Sequence, residues 1–225
     1  MAAYQDVRLR VTDLVIRRGD RLDDVVPACP AWTARQLVAH LVGLADDLVG
    51  GNVHGWATQR WTAAQVERFG SSSGAELVAA WSDVAGSIGD AEAFGDVPAV
   101  AFAFGDAIVH EADLRAVLEP GSRVPADAVS AALAAGVARW RALLSHTAVP
   151  ALHLEVPGVR SWWLGDRADV KAVFVEAPAY EAFRALYGRR SEAQVASWQW
   201  SGSAAPYIEA GLPFPFRWAE SAMVD

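Results

Sequence analysis

Three residues have the types and the spacing of a metal-ligand set: His40, Asp106 and His110. Asp106 and His110 are four residues apart, about one turn, so on a helix both side chains reach the same point from one face. His40 lies three residues after Leu37 and four before Leu44, which on a helix turns it inward with the leucines. Two imidazole nitrogens and one carboxylate suit zinc and leave its fourth position open, and an open position permits catalysis. Asp113, a further turn along, and Asp47, seven beyond His40, are placed to orient the imidazoles from behind. The same spacing has other uses. An Asp/His pair four apart also stabilises a helix surface, and an inward His also serves as a hydrogen-bonded core residue.

Such a site needs rigid helices, and the sequence supplies their boundaries. Thr33 can cap the helix bearing His40, and Gln36 completes a capping box before Leu37, Leu41, Leu44 and Leu48. Gly50-Gly51-Asn52 stops it. The helix bearing Asp106 and His110 follows Pro98 and ends at Pro120-Gly121. Residues 4–18 are amphipathic, Ser73 to Glu76 opens a helix through about Ile88, and Pro125-Ala126-Asp127 begins an alanine-rich helix through Leu144. Residues 53–71 read as irregular or weakly helical. Val25–Trp32 reads as a connection, because Pro27 and Pro30 fit poorly in a helix or a central strand. Residues 1–147 are therefore expected to form an antiparallel helical bundle. After His146 the texture changes to alternating stretches at 151–156 and 169–176, with an extended aromatic one at 159–164 between them. Helices follow at 179–187 and 206–210. Residues 148–225 thus predict a small α+β domain, and the whole chain is expected to be α+β.

Composition removes several classes of function. The 225 residues are 53% hydrophobic and 20% charged, ordinary for a globular protein. A net charge of −8, with 19 scattered Lys and Arg of which only Lys171 is lysine, offers no footprint for nucleic acid. No apolar run approaches the roughly 18 residues that a membrane span requires. The start Met1-Ala2-Ala3-Tyr4-Gln5-Asp6 lacks the order of a signal peptide, so a cytoplasmic protein with a small-molecule substrate is expected. The single cysteine, Cys29, excludes an internal disulfide and a cysteine-cluster zinc site. Any metal must then be held by His and carboxylates.

The stretch Val26-Pro27-Ala28-Cys29-Pro30-Ala31-Trp32-Thr33, followed by Gln36-Leu37-Val38-Ala39-His40-Leu41, resembles the signature of the mycothiol-dependent maleylpyruvate isomerase family. Downstream, Asp106-Ala107-Ile108-Val109-His110-Glu111-Ala112-Asp113-Leu114 is similar to that family's carboxylate-x-x-x-His-x-x-Asp-Leu element. Tyr180 to Ser191 and Trp200-Ser201-Gly202 resemble its C-terminal domain. The resemblance implies a DinB-like helical bundle followed by a small α/β domain, with His40, Asp106 and His110 as zinc ligands and mycothiol as the thiol cofactor. An arginine of the second domain is implied in binding or catalysis. Arg189 and Arg190 are the candidates, with Arg160 and Arg184 as further possibilities, and a charge that satisfies carbonyls at a helix end is the competing use. The family's carboxylate is typically Glu, and Asp106 is shorter by one methylene.

The expected activity is isomerisation of, or transfer to, a small organic electrophile. A non-catalytic binding protein and a thiol-independent metal hydrolase are the alternatives on the same residues. Cys29 has no basic neighbour in sequence to activate it and is expected to be a packed small residue. His54, His146 and His153 lack spacing partners. Trp56, Trp61 and Trp81 could wall a pocket above the metal, though core is the commoner use of such residues.

Overall fold

Apolar residues at helical spacing build the first part of the chain. The computed structural model describes residues 1–91, 99–213 and 215–225, and the chain divides into units Met1–Val124 and Pro125–Val224. Helix α1 (Ala2–Arg17) buries Tyr4, Val7, Val11, Leu14 and Val15 along one stripe. A two-stranded antiparallel ribbon, β1 (Val25–Val26) and β2 (Cys29–Thr33), leads into α2 (Ala34–Gly50). The capping box forms: Thr33 Oγ1 accepts from the Gln36 N–H, and the Gln36 side chain accepts from the Thr33 N–H at 2.9 Å. Gly51 ends the helix in the left-handed region, φ +71°.

Helices α3 (Gln59–Phe69), α4 (Gly74–Ala85) and α5 (Ala99–Leu118) pack around α2, and α1 packs on α5. Helix α2 is buried almost all round, from Ala34 to Leu48, as the central helix of a bundle must be. The rotation of α5 is locked by Glu111, which is fully buried. Its carboxylate accepts from Arg10 Nε and Nη2 at 2.9 and 2.8 Å and from Arg115 Nε at 3.0 Å, so one buried charge ties α1 to α5.

Two local expectations change. The proline-containing segment forms a ribbon instead of an irregular connection. Pro30 is exposed on a strand of a two-stranded sheet, where a missing N–H deprives no further strand of a bond. Residues 53–71 contain α3, capped by Thr58, whose Oγ1 accepts from the Trp61 N–H at 3.3 Å. Only Trp61 and Gln65 of α3 are buried, so no apolar stripe marks it in the sequence.

The second unit begins with α6 (Ala126–Leu144), one helix before the change of texture at 147. This helix packs on α7 (Ala179–Leu186): Gly136 faces Leu186 so closely that an added Cβ would lie 3.1 Å from the leucine Cβ. A four-stranded sheet of β3 (Leu152–Val156), β4 (Arg160–Leu164), β5 (Val173–Glu176) and β6 (Gln199–Trp200) has the order β4-β3-β5-β6, with β3 and β5 parallel. Helices α8 (Glu192–Ala196) and α9 (Ala205–Ala210) complete it. The chain is α+β. Among the described residues no helix is long and apolar enough to cross a membrane.

Candidate metal centre

Helices α2 and α5 bring His40, Asp106 and His110 together from opposite sides of one small volume, and the ligand atoms of all three lie within 4.8 Å of one another. Asp106 Oδ2 is 3.2 Å from His40 Nε2, and its Oδ1 is 3.7 Å from His110 Nε2. The imidazoles meet edge to face, with ring centroids 5.3 Å apart. Tetrahedral zinc with bonds of about 2.0–2.1 Å sets its ligand atoms about 3.3 Å apart, so the His40–Oδ2 spacing matches an edge of such a polyhedron and the His110–Oδ1 spacing, to the other carboxylate oxygen, is longer. Both histidines are buried, while the Asp106 side chain is 24% exposed. The set is therefore enclosed on the imidazole side and open beside the carboxylate.

What lies behind each imidazole fixes which nitrogen faces the centre. His110 Nδ1 is 3.0 Å from Asp113 Oδ2 in a buried pair, and an ionised carboxylate only accepts, so Nδ1 carries the proton and Nε2 presents a lone pair. His40 Nδ1 is 2.8 Å from Gln65 Oε1. The Gln65 amide nitrogen donates to Asp47 Oδ2 at 2.7 Å, which turns the amide oxygen toward His40 and gives that ring the same tautomer. Asp47 is held in turn by Asn52 Nδ2 at 2.9 Å and by Arg68 Nη2 at 2.7 Å. A continuous relay thus runs Arg68, Asp47, Gln65, His40.

Gln65 is the residue that the sequence does not reveal, because it stands on the helix read as irregular. Its approach depends on Gly43, one turn after His40 on α2. A Cβ at Gly43 would lie 2.5 Å from Gln65 Cβ and 3.0 Å from Gln65 Cα. The signal that could have found it is Thr58, a helix cap seven residues ahead of Gln65.

The other singled-out residues fall in different places. Asp113 contacts the His110 imidazole directly, whereas Asp47 reaches His40 through Gln65. Cys29, on β2, lies beside the centre after all: its Sγ is 3.8 Å from Asp113 Oδ2, so the thiol borders the carboxylate that holds His110. Trp81 is core and donates to Tyr4 Oη at 2.8 Å, and Trp61 donates to the Asn52 carbonyl at 2.9 Å. Trp56 packs edge-on against Phe102 of α5, and Trp32 is tilted against the His40 ring at 5.3 Å. In the second unit Arg190 is 2% exposed and bidentate to Glu181, at 2.6 and 2.9 Å. The Arg189 Nη1 donates to the Tyr187 carbonyl at 2.9 Å. Arg160 lies over the Trp162 ring, and Arg184 is fully buried. His153 stacks beside Trp163 and Phe174 on the sheet.

The sequence matches no family model and no curated protein. Two solved structures share the fold. Both are of the mycothiol-dependent maleylpyruvate isomerase, the second a histidine-to-alanine mutant of it, with TM-scores of 0.58 and 0.56 and sequence identities of 15% and 16%. Each alignment covers 96% of this chain, and 95% and 96% of the respective partner.

Proposed function

We propose that this chain is a metal- and thiol-dependent isomerase or transferase that acts on a small organic electrophile, with His40, Asp106 and His110 holding one divalent ion, zinc by its donor set. The observation that carries the reading is the pair of imidazoles, each with Nδ1 engaged behind it and Nε2 turned toward the Asp106 carboxylate. A structural His pair in a core has no need of two separate devices that set the same tautomer. The shared fold with a mycothiol-dependent isomerase supports mycothiol as the thiol.

Charge completes the argument. Two neutral imidazoles and one carboxylate leave a divalent ion with one positive charge, so the open position favours an anionic fourth ligand. An ion held by His40, Asp106 and His110 would supply Lewis acidity enough to ionise a bound thiol, whose ordinary pKa is about 8.5. The protein's own part is positional. Asp113 and the Gln65–Asp47 pair hold the imidazoles, Trp32 packs its ring against His40, and Asp106 keeps its partial exposure on the side left open. Whether isomerisation or transfer follows is set by the electrophile, since both need the same residues. Of the two arginines that the resemblance implies in binding or catalysis, Arg190 is bidentate to Glu181 and Arg189 donates to the Tyr187 carbonyl, and both stay candidates.

The test uses zinc-loaded protein with mycothiol and an electrophile. Turnover that requires the thiol, and loss of both thiol binding and turnover in folded His40→Ala and Asp106→Ala proteins, is the expected result. Turnover at the same rate without thiol would identify a hydrolase and overturn the reading, as would full activity in either variant.

A further inference from the structure

The segment between α2 and α3 is held in an unusual backbone conformation. Gly51 and Gly55 have φ of +71° and +74°, and Ala57, which is no glycine, has φ of +58°. A side chain in this region is disfavoured, and such strain gathers at functional sites. The loop is firmly tied. Thr58 donates to the Gly55 carbonyl through both its N–H and its Oγ1, at 3.2 and 2.6 Å, and the Trp56 N–H donates to the Val53 carbonyl at 3.1 Å. This conformation presents Trp56, which is 37% exposed, with its ring edge-on to Phe102 at 5.4 Å and 88°.

Phe102, Asp106 and His110 follow one another at four-residue intervals, so they lie along one face of α5. The Trp56–Phe102 pair is therefore one turn from the carboxylate at the open side of the centre. A half-exposed indole kept in place by a strained turn is expensive in a mere surface loop and useful in a ligand subsite. Its chemistry is equally specific. Indole and phenyl rings offer stacking and dispersion, and neither offers a charge for a carboxylate to pair with.

We propose that Trp56 and Phe102 form the acceptor subsite and select a flat, uncharged, conjugated electrophile, an aryl ring or an extended enone. The inference rests on the metal- and thiol-dependent reading, since it names the substrate class of that same site. In the probe reaction, 1-chloro-2,4-dinitrobenzene with a thiolate, a C–S bond forms, the C–Cl bond breaks, and chloride leaves with the bonding pair.

The experiment compares wild type, Trp56→Leu and Trp56→Phe. It measures calorimetric binding of 1,3-dinitrobenzene, an unreactive flat ring, with and without zinc, and kcat/KM for the aryl chloride relative to iodoacetamide. The expected result is that Trp56→Leu weakens dinitrobenzene binding and lowers the aryl-to-aliphatic ratio by roughly tenfold, that Trp56→Phe restores most of both, and that zinc affinity is the same in all three. Equal dinitrobenzene binding by wild type and Trp56→Leu, or none by wild type, overturns the subsite. Failure of the underlying reading shows separately, as no zinc uptake or no thiol-dependent turnover, while dinitrobenzene binding still decides the subsite.

Discussion

Gly43→Ala separates the positioning of His40 from the stability of the fold. The new methyl would lie 2.5 Å from Gln65 Cβ and 2.9 Å from its Cγ, whereas carbon atoms pack at about 3.5–4.0 Å. Because the glutamine Cα is also only 3.0 Å away, rotation of the side chain alone cannot relieve the clash, and α3 must retreat by about 1 Å. The 2.8 Å contact between His40 Nδ1 and Gln65 Oε1 then opens toward about 3.8 Å, beyond hydrogen-bond range. Overpacking costs about 1–3 kcal/mol, and replacing a helical glycine by alanine returns about 1 kcal/mol, so the net loss of stability is small. Loss of the group that orients a ligand imidazole lowers metal affinity about 10–100-fold, or about 1.4–2.7 kcal/mol. The assay is zinc competition against a chromophoric chelator, beside urea unfolding of the apo protein. A folded Gly43→Ala protein whose zinc affinity stays within about twofold of wild type would refute the relay.

Asp113→Ala removes the acceptor behind His110 and is expected to lower zinc affinity about 10–100-fold while the helix content by circular dichroism is unchanged. Glu111→Ala leaves Arg10 and Arg115 facing each other without their shared buried carboxylate, and a loss of about 3–5 kcal/mol in urea unfolding is expected. Burial pushes the Tyr4 phenol up to about 12 from an ordinary value near 10. The folded state keeps that proton longer, so this stabilisation is full below pH 10 and is lost as pH rises toward 12, about 3 kcal/mol in all. Urea midpoints that fall less steeply from pH 10 to 12 in Tyr4→Phe than in wild type are the expected result, and equal slopes would contradict it.

The convergence of His40, Asp106 and His110 was legible because helical periodicity fixes direction once the ends of a helix are known, and Thr33, Gly51 and Pro120 mark those ends. Asp113 was legible for the same reason. Gln65 was not, because it reaches His40 across a helix pair and that contact depends on Gly43, a tertiary fact with no sequence period. The ribbon at Val25–Thr33 was hidden by two prolines, which are tolerated in so short a sheet. Helix α6 carries the alanine and valine pattern of a bundle helix, and its packing on α7, β4 and α9 assigns it to the second unit. The pairing of Arg190 with Glu181 likewise joins residues nine apart across a turn, which no helical spacing anticipates. Strain at Ala57 is a backbone property that alanine does not advertise.

The central claim is that one divalent ion sits on His40, Asp106 and His110, and calorimetric titration of zinc into the metal-free protein tests it most directly. One equivalent per chain, with binding abolished in folded His40→Ala and His110→Ala proteins, is the predicted result. Uptake below about a tenth of an equivalent, or binding that survives both substitutions unchanged, would contradict it.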